Sequence, residues 1–182
     1  ALSRMRGFGG RGVLFGLLAM RMFPHILLAI PFFVLAQTLS LIDTYAAMVL
    51  ALVAINQPFT IWLMRSFFME VPTELDEAAC IDGCNVWQTF SKVVLPVVRP
   101  GLWVTSLFSL LLAYNEFLFA LVLTGPGTKT LPVAIAEYGA EDLNYWSLSA
   151  AAAIGIMLPI VAFMMLLQRH LVRGIAFGAV KG

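Results

Sequence analysis

Formal charge is what this chain of 182 residues has least of. Asp, Glu, Lys and Arg make up 12% of it, where soluble domains average about 25%. The few charges nearly cancel, 11 bases against 10 acids for a net +1, so the basic surplus that draws a protein to nucleic acid is missing. No G-x-x-x-x-G-K-[ST] phosphate loop occurs, and the glycines at 7, 9, 10 and 12 fall in an Arg-containing stretch without that pattern. The spaced nucleophile, base and orienting group of an intramembrane enzyme are absent as well. Cysteine is limited to Cys80 and Cys84; a spacing of four with no His nearby is a poor zinc site, and packing is the better account of both thiols. The opening residues show neither an initiator Met nor the charged, apolar and small-residue regions of a signal peptide. No internal repeat is evident. These absences predict a chain without a metal or cofactor of its own.

Apolar residues, by contrast, fill 61% of the chain, and mean hydropathy is +0.93. Placing the charges leaves residues 22–42, 44–64 and 143–168 with none, and residues 102–124 with Glu116 alone. Each run is long enough to cross about 30 Å of hydrocarbon at about 1.5 Å per residue. The sequence therefore predicts an all-α integral membrane protein with four spans, near 13–36, 44–64, 101–124 and 147–168. Pro24 and Pro31 predict that the first span is kinked or partly irregular. Four spans would occupy roughly half of the residues, which leaves no room for an ATPase beside them. Any energy source must come from another chain.

Four crossings put both termini on one side. Arg4, Arg6, Arg11, Arg65, Lys92, Arg99, Arg169, Arg173 and Lys181 fall on that side, and Lys129 is the base in an opposite-side loop. By the positive-inside rule the terminal side is cytoplasmic. Trp103 and Trp146 lie near predicted helix ends, where an interfacial aromatic belt would place them.

The cytoplasmic insert, residues 65–100, is the most polar stretch and reads as two short helices. Thr73 is placed to cap the first, with Glu74, Asp76 and Glu77 near the positive end of its dipole, and Gly83 to end it. Asn85 and Gln88 form a capping-box pattern for the second, in which Trp87, Phe90 and Val94 recur on one face until Pro96 and Pro100. A helix lying on the membrane surface should carry a basic polar face, yet residues 74–84 hold four acids and no base. A cleft with basic residues on a protein partner suits such a surface better.

Glu77-Ala78-Ala79, then Gly83 after three residues, then Val93-Val94-Leu95-Pro96 after nine, resembles the EAA loop of ATP-binding-cassette importer permeases. The fuller run from Val71-Pro72-Thr73 through Ile81-Asp82-Gly83 to Arg99-Pro100-Gly101 resembles the carbohydrate-uptake branch and its maltose-type second permease subunit. Tyr114-Asn115-Glu116-Phe117 and the tail from Gln168 to Gly182 agree with it. Members usually have six spans; Ala1-Leu2-Ser3-Arg4-Met5-Arg6 looks like the end of the second, so the chain resembles the last four spans of the type I importer permease fold.

The resemblance implies a permease subunit of an ATP-driven, binding-protein-dependent importer, forming half of the translocation pathway for a sugar or oligosaccharide. It implies a second permease subunit as heterodimer partner, a dimer of ATP-binding subunits that hold ATP and Mg, and an extracytoplasmic solute-binding protein. The setting would be the bilayer of a bacterial or archaeal inner membrane. Glu74, Glu77, Ala78, Ala79, Asp82 and Gly83 are the expected ATPase contact. Arg173, Gly178 and Lys181, in a glycine-rich tail that is flexible by composition, are expected to reach the ATPase interface. The same class importing a glycerol phosphate or polyol, or an ATP-independent secondary carrier, stays open beside the sugar reading.

Within the spans, Glu116 is an isolated carboxylate beside Asn115; it must face the bundle interior, a wet cavity or a partner helix, or serve a local hydrogen bond. Asn56, with Gln57 and Pro58, interrupts the second span and can either line the pathway or mark a kink. Asn56, Asn115 and Glu116 are the candidate pathway or subunit-interface residues. Arg21 and His25, four apart, form a polar pair on the first span, with Arg21 placed to snorkel. In residues 125–145, Lys129, Glu137, Tyr138, Glu141 and Asp142 form a solvated outer loop, which the resemblance implies meets the solute-binding protein.

Overall fold

A computed structural model of the chain describes the backbone of residues 8–141 and 146–179 and the side chains of residues 12–139 and 146–165. The described residues contain helices and no strand. In chain order these are α1 (Phe8–Met22), α2 (His25–Thr38), α3 (Tyr45–Glu70), α4 (Thr73–Ile81), α5 (Val86–Gln88), a π-turn (Thr89–Val94) and α6 (Leu95–Val97). They are followed by α7 (Arg99–Tyr114), α8 (Leu118–Leu123), α9 (Leu131–Glu141) and α10 (Trp146–Ala179). Two helical stretches among the described residues, α3 and residues 146–165 of α10, are each long and apolar enough to cross a membrane. Counting two sharply bent pairs as broken spans, α1 with α2 and residues 86–97 with α7, brings the number to four.

Proline chemistry explains one of these breaks. Pro24 cannot donate to the carbonyl of Met20 and disfavours helical geometry at Phe23, so α1 stops at Met22 and α2 starts at His25. Pro31, Pro58 and Pro159 stay inside α2, α3 and α10. The interruption expected at residues 56–58 is therefore no break: α3 runs on through Pro58. The break that does occur lies in the apolar run read as one span over 101–124. There α7 ends at Tyr114 and the chain resumes helix at Leu118. Its cause is polar side chains competing for backbone. Asn115 Nδ2 donates to the Leu111 carbonyl at 2.8 Å, and Glu116 Oε1 accepts the Phe119 N–H at 3.0 Å, which starts α8. At the other end α10 continues past residue 168 to Ala179, through a stretch whose composition predicts flexibility.

By packing, the chain divides into two units. One holds residues 58–109 with the described parts of 1–19 and 167–182; the other holds residues 20–57 and 110–166. In the first, α3 meets α7 through an edge-on Phe59–Phe108 pair at 5.8 Å and a Thr60–Ser109 hydroxyl contact at 3.4 Å. The closest approach is at Gly101, where a Cβ would lie 2.4 Å from Cγ of Phe67. Phe68 of α3 stacks on Phe90 of the π-turn at 6.4 Å and so holds the polar insert against the helix preceding it.

The second unit is built on small residues. Ala36, Ala47 and Ala51 are buried with Phe119 and Leu123, so α2, α3 and α8 pack backbone to backbone around one aromatic ring. Phe119 is fully buried and takes Phe32 edge-on at 5.3 Å and His25 at 6.4 Å. Tyr114 donates its hydroxyl to the Ile156 carbonyl at 2.7 Å, tying the end of α7 to α10 three residues before Pro159. Thr44 opens α3, accepting the Ala47 N–H at 3.2 Å while donating to Leu41 at 2.6 Å.

The contact at Gly101 generates a test. Gly101→Ala forces Phe67 and its backbone to move, so the detergent-solubilised protein should lose about 1–3 kcal/mol of stability, seen as a lower thermal midpoint. An unchanged midpoint would show that the α3–α7 approach is slack.

Candidate functional site

The insert presents three kinds of surface on few residues. Glu74 and Asp76 lie in the first turn of α4, where their charge meets the positive end of the helix dipole. Thr73 is the first residue of α4 and makes no side-chain cap; Pro72, extended at φ −59° and ψ 142°, holds the cap position. Proline's fixed φ leads the chain into the helix there in place of a hydroxyl cap. Glu74, Glu77, Ala78, Asp82 and Gly83 are exposed, whereas Ala79 is buried, 4% accessible. Ala79 therefore packs inward, and its methyl marks where α4 rests on the chain's own interior.

Gly83 ends α4 as anticipated, and the geometry gives the reason. Its φ is +81°, its N–H donates to the Cys80 carbonyl at 3.1 Å, and the Cys84 N–H donates to Ala79 at 2.9 Å. These are the two bonds of a Schellman ending, which needs a left-handed residue at this position. A Cβ at Gly83 would meet open space, so the constraint on the residue is conformational and not steric. Two residues on, the Asn85–Gln88 capping box forms in both directions at 2.9 Å, as the spacing predicts. The second helix then widens into the π-turn just before Pro96, whose ring would clash with the Lys92 carbonyl in α geometry. The face expected from Trp87, Phe90 and Val94 is split: Val94 is buried, while Trp87 is 73% accessible and lies against Phe90 at 5.8 Å. Ile81 and Val86 are also exposed, at 86% and 88%. These large apolar side chains lie open next to carboxylates.

Inside the second unit, a cleft of about 190 Å³ is lined by Arg21, His25, Asn56 and Glu116 with Leu52, Ile55, Leu112 and Ala113. It brings together two of the three candidate pathway residues and the polar pair of the first span. Asn115 does not join them, its amide being used on its own helix. Glu116 has a local task and a place on the cleft wall at once, since Oε1 is the acceptor that starts α8. Of the tail residues, Arg173 and Gly178 fall on the backbone of α10; their side chains, and Lys181 altogether, lie outside the described residues.

Sequence reasoning passed over Asp43. This residue sits between α2 and α3 with φ 59°. Its Oδ1 accepts the N–H of Gly125 at 2.9 Å, the N–H of Thr128 at 3.0 Å and the Thr128 hydroxyl at 2.7 Å; its Oδ2 accepts the Gly127 N–H at 3.1 Å. The Asp43 N–H in turn donates to Leu123 at 3.0 Å. Glycine suits both positions by contact: a Cβ at Gly125 would lie 2.9 Å from the carboxylate and force it to shift, and one at Gly127 would lie a tight 3.2 Å away. The loop read as outer is thus a turn wrapped on an anion, followed by α9; Lys129, just before that helix, pairs with Glu137 within it, and Val133 is buried at 1%. Asp142 lies outside the described residues. A lone Asp between two apolar runs and a Gly-Pro-Gly-Thr turn were the available signals, but their separation of more than 80 residues hides the pairing.

Hydrogen bonds from Thr128, Gly125 and Gly127 hold the Asp43 carboxyl below the usual carboxylate range against a smaller desolvation effect. The sign follows: a depressed folded value means that the anchored turn is fully present above the unfolded value and is lost as pH falls through the folded one. In a carbon-13 titration, the Asp43 carboxyl should therefore titrate below the ordinary carboxylate range, and Thr128→Val should move it upward.

Comparison with known proteins gives the family. Residues 1–177 match the family described as the binding-protein-dependent transport system inner membrane component. The chain is 42% identical to the probable ABC transporter permease protein y4oR of Sinorhizobium fredii. It is 36% identical to the trehalose transport system permease protein SugB of Mycobacterium tuberculosis and 35% identical to the trehalose/maltose transport system permease protein MalG of Thermococcus litoralis. Each match takes in 100% of this chain but 65%, 68% and 66% of the relative, so the chain spans about two thirds of their length. An all-α membrane chain carrying the EAA-type insert and matched over nearly its whole length belongs to the family of binding-protein-dependent transport system inner membrane components.

Proposed function

We propose that the chain is the permease subunit of an ATP-driven importer that takes up a sugar of disaccharide size, delivered by a solute-binding protein. The insert is its contact with a separate ATP-binding subunit, which holds ATP and Mg. The observation that carries the reading is the exposed set of Glu74, Glu77 and Asp82 beside Ile81, Val86 and Trp87, held by the Gly83 turn. Apolar anchors ringed by one sign of charge suit a basic cleft on a protein far better than an anionic lipid surface. The basic residues flanking the insert support a reading in which it lies on the cytoplasmic side with both ends of this chain, and residues 125–141 lie opposite, toward the solute-binding protein.

The cleft supports the solute class. Its polar groups, Arg21, His25, Asn56 and Glu116, alternate with aliphatic ones, which suits a molecule having hydroxyl edges and C–H faces. At about 190 Å³ it is smaller than the roughly 300–1,000 Å³ of complete small-molecule pockets. A second permease subunit supplying the facing wall accounts for the difference. Two relatives whose names specify trehalose or maltose point to the same class. Arg21 on the wall favours a second reading, a glycoside or polyol carrying an anionic group.

Reconstitution with the partner permease, the ATPase and the solute-binding protein tests both. Labelled disaccharides should be taken up; failure of every sugar, with uptake of a phosphorylated solute, would replace the first reading by the second. Glu116→Gln keeps an acceptor for Phe119 and should keep much of the ATP-driven uptake, whereas a proton-coupled carrier would lose pH-driven uptake.

The docking assignment has its own test. Gly83→Val puts a β-branched residue at φ +81°, a conformation that costs an ordinary residue about 1–2 kcal/mol and a branched one more. It should abolish uptake and coupled ATP hydrolysis while the chain still inserts, and Gly83→Asn, which tolerates this conformation, should retain a large share. Normal uptake by the valine variant would sink the coupling role.

A further inference from the structure

We propose that Asp43 is a positioning residue for the docking of the solute-binding protein, fastening the outer turn to the α2–α3–α8 cluster so that docking on that segment acts on the helices. The proposal rests on the reading of residues 125–141 as the outer docking segment.

The geometry points to a load path and not merely a closed loop. One hydrogen bond suffices to close a turn, and the break between α7 and α8 is managed with a single carboxylate contact from Glu116. Asp43 instead receives three backbone N–H groups and a hydroxyl on its two oxygens. All four bonds are charge-assisted, the stronger class. Its own backbone N–H is fixed to Leu123, the last residue of α8 and one that is 1% accessible. Directly after it, Thr44 caps α3, and Ala47 and Ala51 of that helix are buried against Leu123 and Phe119. The residue is therefore held at both ends, by the outer turn through its side chain and by the α8–α3 junction through its backbone.

On the other side of the turn, α9 begins three residues after Thr128 and is seated by Val133, leaving Leu131 and Tyr138 exposed at 60% and 46%. Val133 seats α9 on Met48 of α3 and Ala120 of α8, and Asp43 adds a polar tie from the turn that leads into α9 to the same two helices. Gly125 and Gly127 have their Cβ space filled by the same carboxylate, so the turn closes down on the anion from both sides.

The test uses the complete transporter in nanodiscs, with the solute-binding protein that stimulates the wild-type assembly, and reads ATP hydrolysis with and without it. Asp43→Asn places an amide N–H against the Gly127 or the Gly125 and Thr128 N–H groups, and Gly125→Ala pushes the carboxylate aside. Each should raise the solute-binding protein concentration for half-maximal stimulation about tenfold, and the ratio of stimulated to unstimulated hydrolysis should fall. Thr128→Val removes one bond and should give a smaller shift of the same sign, while Thr128→Ser restores wild-type stimulation.

Half-maximal stimulation at the wild-type concentration in both Asp43→Asn and Gly125→Ala would overturn the proposal. So would an equal fall of stimulated and unstimulated rates, the mark of a structural role alone. A wild-type assembly whose uptake and hydrolysis are indifferent to every solute-binding protein would overturn the parent reading and this one together, an outcome distinct from the other two.

Discussion

Lipid supplies no hydrogen bonds, and the helices of an apolar chain can end inside it only where the chain closes its own backbone. The placement of polar side chains follows from that constraint. Glu116 takes up a first-turn amide of α8, and Thr124 returns its hydroxyl to the Ala120 carbonyl at 2.6 Å at the other end of the same short helix. The Tyr114 hydroxyl reaches a carbonyl of α10 near the proline that weakens that helix. With charged residues at 12% of the sequence, these helix ends are closed by a handful of polar side chains.

That economy explains what could be read from the sequence. Features whose cause is local were legible: the Gly83 ending and the Asn85–Gln88 box. Thr73 was misplaced by one position because a proline beside a threonine offers two ways to start a helix, and fixed φ prevailed over the hydroxyl cap. The break after Tyr114 was hidden because Glu116, treated as a lone charge in an apolar run, invites the question of a distant partner when its acceptor duty lies three residues away. The helix of residues 131–141 was read as a plain loop, although Pro132 just inside its start is a recognisable helix opening. Asp43 was out of reach, since its partners lie 82 to 85 positions along the chain and no periodicity connects them.

The insert and the outer turn solve a related problem in different ways. Each holds an exposed segment in one fixed shape. Each relies on one residue in the left-handed region, Gly83 at φ +81° and Asp43 at φ 59°. At Gly83 the backbone does all of the work and the side of the residue faces open space. At Asp43 the unusual backbone also aims a charge, so conformation and electrostatics fall on the same atom set.

That coincidence restricts what evolution can place at position 43. Asparagine accepts the left-handed backbone but offers one acceptor oxygen for four donors. Glutamate keeps the charge, yet it pays the left-handed penalty and carries its carboxylate one methylene too far for a turn whose glycines already touch it. Glycine tolerates the backbone and has no acceptor. With no conservative replacement available, change at this site should occur only together with residues 125–128, so that position and turn drift through sequence space as one unit.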